Sequence, residues 1–236
     1  MTLEVIAIDG PAASGKTSTA AAVARALGAH HLDSGALYRG LTRVALDEGT
    51  DDPDVILRAA GARGLELRLE GAEIAPFLDG RPAEPLIRTQ EVTVAVSRIA
   101  AIVELRAWVN ERLRAAATPD RLLVLDGRDI GTAVFPQARL KVFLVATAEA
   151  RARRRLLQRA TLASVGAEQA AAVTDLAVAA EARALRARDE QDATRPVVPL
   201  RQAADAVEVD TTHMTLEQQV NVIAGLARHA LGRSRP

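Results

Sequence analysis

The sequence predicts an α/β fold in which a parallel core sheet is flanked by helices, and three observations predict it. Short apolar runs of strand length recur along the chain. Segments with helical spacing lie between them, and a glycine-rich loop joins the first run to the first helix. At 236 residues the chain is long enough for one substantial core with small insertions.

Leu3–Ile8 is the first apolar run. Glycines follow it, then an Ala-rich segment ending at Gly28, a pattern of buried strand, loop, helix and glycine C-cap. His30–Leu32 predicts a second strand running into Asp33-Ser34-Gly35, with a helix through Tyr38, Leu41 and Leu46. Leu122–Leu125, Val142–Val145 and Ala206–Val209 predict further strands. Helical patterns cover Val92–Ala117, the chain from Ala148 onward, and Thr215–Leu231. Two stretches break the rhythm. Leu65–Glu70 alternates with period two, and Gly71 and Asp79-Gly80-Arg81-Pro82 supply turns, so residues 58–90 read as a small antiparallel insert with one polar face. Arg151–Arg195 is arginine-rich and helical; it reads equally as a mobile lid or as a solvated pair of amphipathic helices.

Thirty basic side chains balance 30 acidic ones, and aromatic residues are only 2%. Broad attraction to nucleic acid or a membrane surface is therefore not expected, and stacking platforms are few. The absence of cysteine excludes disulfides and thiolate metal sites. MTLEVIAIDG has no basic leader stretch, and no apolar run approaches bilayer-spanning length, so a cytoplasmic location without a membrane partner is expected.

Gly10-Pro11-Ala12-Ala13-Ser14-Gly15-Lys16-Thr17 matches G-x-x-x-x-G-K-[ST] without a mismatch, after a predicted strand and at the start of a predicted helix. Crowded triphosphate oxygens are bound by bare backbone N–H groups, which glycines allow to approach closely. The helix dipole adds positive potential at the same point. Gly10–Thr17 and Ser18 are thus the expected ATP-binding residues; Lys16 reaches the β/γ-phosphates and the Thr17 hydroxyl ligates Mg²⁺. A guanine-specific switch would need an [NT]-K-x-D segment. Lys16 and Lys141 are the only lysines, and neither lies in one.

LDSGALYR follows the second predicted strand, where α/β sheets bind ligands. DGRDIGT follows the strand at Leu122–Leu125 and packs carboxylates, an arginine and glycines into one loop. In this order after a P-loop, LDSGALYR, IRTQEV, DGRDIGTAVFP and RDEQDATR resemble the bacterial cytidylate kinases, the (d)CMP kinase family of P-loop nucleoside monophosphate kinases. The resemblance runs from Ile6 to Thr212. It implies a parallel core over residues 1–57, 98–150 and 196–236, an NMP-binding insert over 58–97 and a lid over 151–195.

The resemblance further implies that Ser34, Arg106 and Asp129 recognise cytosine, whose N4 amino group donates and whose N3 and O2 accept. Tyr38, Arg39 and Arg128 would surround the base and 5′-phosphate; Ser97, Arg188 and Asp192 would meet the sugar and phosphate, and Arg195 would be the last nucleotide-site arginine. Arg151 and Arg154, three apart on one helical face, match lid arginines that clamp the transferring phosphoryl group. Lys16, Arg128, Arg151, Arg154 and Arg188 would supply the catalytic positive charge. Asp126, ending its strand, matches an acid that orients Mg²⁺ through its waters.

The expected reaction is transfer of the ATP γ-phosphoryl group to CMP or dCMP, with Mg²⁺ as cofactor, in a monomer. The alternative is another P-loop small-molecule kinase acting on UMP, AMP or a sugar acid. A sugar-acid kinase needs neither the Arg106/Asp129 pair nor the insert. Three departures from the family pattern are visible. Gln191 and Ala193 stand where basic residues are more usual, Ala13-Ser14 replaces a glycine-containing pair, and the lid is lengthened by an Ala-rich stretch between Thr161 and Ala182.

Overall fold

In the computed structural model, which describes residues 3–162, 173–195 and 198–232, strand β1 (Glu4–Asp9) occupies the middle of one sheet and is buried from Val5 onward. The other strands are β2 (His30–Asp33), β3 (Glu66–Glu70), β4 (Glu73–Leu78), β5 (Arg81–Pro82), β6 (Leu122–Gly127), β7 (Leu140–Val145) and β8 (Val207–Asp210). Their order is β3-β4-β2-β6-β1-β7-β8, with β5 beside β4. The run β2-β6-β1-β7-β8 is parallel throughout. Apolar side chains alternate between the two faces, as they must when helices cover both.

Val5 and Ala7 face one layer, formed by α2 (Ser34–Glu48), α3 (Pro53–Ala62), α4 (Glu84–Ile87), α5 (Gln90–Ile99) and α6 (Val103–Ala116). Ile6 and Ile8 face the other, formed by α1 (Lys16–Leu27) and α9 (Leu216–Ala230). The register pairs Asp9 with Gly127 and Asp33 with Asp126, so the acidic strand ends meet at one edge of the sheet. Loops leaving the carboxyl ends of parallel strands build the ligand site in such folds.

Helix ends follow local chemistry. Asp33 caps α2 by accepting from the Gly35 N–H, and Thr215 and Gln218 form a reciprocal capping box on α9. Gly28 closes α1 in the left-handed conformation, as expected. One expectation fails. The helical pattern over Val92–Ala117 is two helices, α5 and α6. The chain is extended at Ile102, and the Arg106 guanidinium donates at 2.8 Å to the Ala100 carbonyl, which a continuous helix would have paired internally. Periodicity continues across such a break and does not reveal it.

The period-two stretch forms antiparallel β3, β4 and β5. It does not stand apart, because β4 also pairs parallel with β2 through His31 and Glu73 and extends the core sheet. Helix α3 runs unbroken across position 58. In the arginine-rich region, α7 (Ala148–Leu162) and α8 (Asp175–Ala193) pack through Ala148, Ala152, Val178, Ala182 and Leu185, with Ala12 of the glycine-rich loop in the same cluster. Much of the Ala-rich stretch between Thr161 and Ala182 lies outside the described residues. Among the described residues, no helix is long and apolar enough to cross a membrane.

The α9 cap gives a direct test of this architecture. Thr215→Ala removes the capping hydroxyl and should cost about 1 kcal/mol. For a chain of this size that lowers the melting temperature by about 2–4 °C, with kinetic constants unchanged. An unaltered melting curve would show that the cap does not form.

Candidate active site

The loop between β1 and α1 is curled by its backbone. Gly10 has φ 150°, and a Cβ there would lie 2.3 Å from the Leu144 carbonyl oxygen, so only glycine fits. Ala13 (φ 58°) and Gly15 (φ 91°) are left-handed and turn the loop around its own N–H groups. The Lys16 ammonium lies buried inside this curl, donating to the Pro11 carbonyl at 2.6 Å and facing Ser14 Oγ at 3.4 Å. Burial and the charge of Arg128 hold Lys16 well below the usual ammonium range, against the opposing fields of Asp126, Asp9 and Asp33.

The strand-end acids bind specific partners. Asp126 Oδ2 accepts from Thr17 Oγ1 at 2.6 Å, and Oδ1 lies 2.8 Å from His31 Nε2. Burial and the neighbouring Asp33 raise the Asp126 carboxyl, opposed by His31 and Thr17. Burial disfavours charge on His31, but the Asp126 hydrogen bond and the fields of Asp126, Asp33 and Glu73 outweigh it and raise the imidazole above its ordinary value. Thr17 and Asp126 offer adjoining hard oxygens, and the described residues contain no group of three or more His, Cys, Asp or Glu able to hold a metal. That donor set fits Mg²⁺ shared with phosphates and water, not an all-protein cage.

A second polar cluster lies beyond β6. Arg106 and Asp129 form a buried ion pair, and the Arg106 guanidinium sits 5.3 Å from the Tyr38 ring centre. Ser34 Oγ donates to the Asp126 carbonyl at 2.7 Å. The Tyr38 hydroxyl is buried with no hydrogen-bond partner among the described residues; burial and the Asp129 charge push its pKa up. Ser97, Asp192 and Arg195 line a cleft of about 810 Å³ together with Gln90, Arg98 and Gln191.

Between cradle and cluster, positive charge accumulates. The Asp192 carboxylate is shared by Arg128 (2.9 Å) and Arg195 (3.2 Å). Arg188 Nε is buried with no hydrogen-bond partner among the described residues. Burial and Arg128, with smaller contributions from Arg39 and Arg155, lower Arg188 to about 10, opposed by Asp192. Arg39, whose guanidinium reaches Thr93 Oγ1 at 3.4 Å, is lowered by burial and by Arg88, Arg128 and Arg155, against Asp33. Cations that depress one another in this way form a site suited to polyanions.

Arg151 and Arg154 part company. Arg151 donates to the Ala12 carbonyl (2.7 Å) and the Ala146 carbonyl (3.0 Å) and pairs with Asp189 at 2.6 Å. Arg154 instead donates to Thr211 Oγ1 at 3.1 Å and to carbonyl oxygens of the loop between β8 and α9. One helical face therefore serves two different loops in this structure.

Three residues escaped the sequence reading. Asp9 accepts the Ile130 and Gly131 N–H groups at 2.9 and 2.7 Å and so positions the turn carrying Asp129. Asp189 accepts the Ala12 N–H at 3.0 Å while holding Arg151. His31 holds Asp126. Asp189 lies inside RDEQDATR and Asp9 immediately precedes the glycine-rich motif, an available signal; His31 sits beside a second histidine in a short strand and carries none.

A glycine-rich cradle opening a helix at the carboxyl edge of a parallel sheet, beside a cluster of mutually depressed cations, defines the class as a P-loop phosphotransferase. A family model described as cytidylate kinase matches residues 6–229. A cytidylate kinase from Bordetella bronchiseptica is 46% identical over 222 residues, covering 93% of this chain and 92% of that protein. One from Streptomyces coelicolor is 42% identical, covering 94% and 91%, and one from Limosilactobacillus fermentum is 40% identical, covering 93% of each. The chain belongs to the cytidylate kinase family.

Asp9 generates a pH prediction. Burial raises its carboxyl from 3.8 to about 6, despite the hydrogen bonds from Gly131 and Ile130. Because the folded value exceeds the unfolded one, the stability it contributes is complete below about pH 4 and is lost as pH rises through about 6. Relative to Asp9→Asn, which does not titrate, the wild type should lose on the order of 3 kcal/mol across that window. Urea unfolding at a series of pH values measures this; a pH-independent difference between the two proteins would contradict it.

Proposed function

We propose that this chain is a (d)CMP kinase that transfers the γ-phosphoryl group of ATP to CMP or dCMP, giving ADP and CDP or dCDP, as a cytoplasmic monomer. The observation that carries the reading is the cationic cluster of Lys16, Arg39, Arg128 and Arg188, which joins the phosphate cradle to the side of the site that holds the buried Arg106–Asp129 pair. Two phosphate groups repel each other, and the protein's task is to hold them in line and neutralise charge in a loose transition state. The acceptor phosphate is already anionic near neutral pH, so no general base is required. Lys16, Arg128 and Arg188 neutralise charge at the reacting phosphates, and Arg151, braced by Asp189 against the cradle, adds to them. Thr17 and Asp126 would hold Mg²⁺, which supplies further neutralisation on the donor phosphates. Residues 58–97 serve as the acceptor-binding insert. Residues 151–195 close as the lid that excludes water and prevents simple hydrolysis, carrying Arg151 and Arg154 toward the phosphates.

The base is read through hydrogen-bond polarity. Ser34 has its proton committed to the Asp126 carbonyl, so its oxygen is left to accept, and the Asp129 carboxylate can only accept. The N4 amino group of cytosine donates to such a pair, whereas O4 of uracil would face acceptors. Arg106 donates to the ring acceptors N3 and O2. Tyr38 and Arg39 flank the base and phosphate, Ser97, Arg188 and Asp192 contact the sugar and phosphate, and Arg195, which lines the same cleft as Ser97 and Asp192, is the last nucleotide-site arginine.

Initial rates of ADP formation with CMP, dCMP, UMP and AMP should favour the cytosine nucleotides, and preference for UMP or a purine monophosphate would overturn the reading. Lys16→Ala should abolish turnover yet leave CMP binding intact by calorimetry; loss of CMP binding in the folded variant would contradict the assigned role. Asp129→Asn should lower kcat/KM for CMP by about a hundredfold and narrow the gap to UMP. An unchanged CMP/UMP ratio would remove Asp129 from base recognition.

A further inference from the structure

His31 lies in the second strand, yet its side chain is tied to the donor side of the site. The β2–β6 register sets His31 opposite Val124, so Asp126, two residues on, projects from the same face of the sheet on the diagonal. The imidazole spans that diagonal. Its Nε2 meets Asp126 Oδ1 at 2.8 Å, while Oδ2 is left to Thr17 Oγ1 at 2.6 Å. Both members of the pair are buried, at 7% and 2% exposure, so an Oδ1 without the imidazole would be a buried, unpaired carboxylate oxygen. With each oxygen held by a separate partner, the carboxylate plane cannot rotate, and one lone-pair edge stays aimed at the first turn of α1.

We infer that His31 is a positioning residue for the metal-bearing nucleotide: it fixes the Asp126 carboxylate so that Oδ2, beside Thr17, faces the place where Mg²⁺ is held. The inference rests on the reading that Thr17 and Asp126 serve Mg²⁺, and it is independent of which acceptor is phosphorylated. Partners that orient a metal-directed carboxylate act on the metal and not on the rest of the ligand. His31 should therefore affect the metal-dependent part of nucleotide binding alone.

Amide replacements separate this from a packing role. The amide nitrogen of His31→Gln reaches about as far as Nε2, whereas that of His31→Asn is one methylene short; both are small, polar and uncharged. ADP affinity is measured by calorimetry in Mg²⁺ and in EDTA, alongside the CMP KM and the melting temperature. In His31→Asn the gain in ADP affinity given by Mg²⁺ should fall about tenfold, with metal-free ADP affinity and CMP KM at wild-type values. His31→Gln should restore the gain. A His31→Asn protein with the full gain, a His31→Gln protein that loses as much, or equal losses in Mg²⁺ and EDTA would each overturn the inference. A wild type without any Mg²⁺ gain would overturn it too. A wild type that shows the gain but does not phosphorylate CMP would instead defeat the acceptor reading and leave His31 to be decided by the two variants.

Discussion

Buried charge at the carboxyl edge of the sheet is the constraint on which the rest of the structure depends. The parallel register brings Asp9, Asp33 and Asp126 to one edge, and the segments that follow these strands carry Lys16, Arg39 and Arg128. Charges of this kind are stable inside a protein only when each has a partner or a binding function. The acids are satisfied by the protein itself. Asp9 takes two backbone N–H groups, Asp126 takes Thr17 and His31, and Asp33 takes Gly35 and Arg88. Part of the positive charge is left with cationic neighbours, and this imbalance points to an anionic ligand.

Several cations are paired inside the protein itself. Lys16 donates to the Pro11 carbonyl, Arg151 to the Ala12 carbonyl and the Asp189 carboxylate, and Arg106 to Asp129. These contacts hold side chains near the cradle and the second cluster without the entropy cost of ordering them later. They also join segments distant in sequence: Asp189 of α8 binds the N–H of Ala12, and Asp192 binds Arg128 of the loop after β6. The arginine-rich helices are thereby fastened to the core through the glycine-rich loop and the loop after β6.

Much of the fold was legible because local patterns and tertiary demands agree. Fully buried parallel strands must be apolar, and Val5–Ile8 and Leu122–Leu125 are. The cradle was legible residue by residue because its chemistry is nearly contiguous in sequence. The break between α5 and α6 was hidden, since it depends on Arg106 competing for the Ala100 carbonyl from inside the folded chain. The divergence of Arg151 and Arg154 was hidden too: helical spacing puts them on one face, but Ala12 and Thr211, which receive them, come from opposite ends of the chain.

The sequence alone determined the α/β class, the phosphate cradle and the likeness to cytidylate kinases, because each is written in contiguous residues whose backbone and charge requirements are local. Only the tertiary structure decided what those residues touch. That His31 grips Asp126, that Asp9 holds the turn bearing Asp129, and that Ser34 is left as an acceptor all follow from strand register and burial. Hydrogen bonds across a sheet pair residues about 90 to 120 positions apart, and no local pattern carries that information.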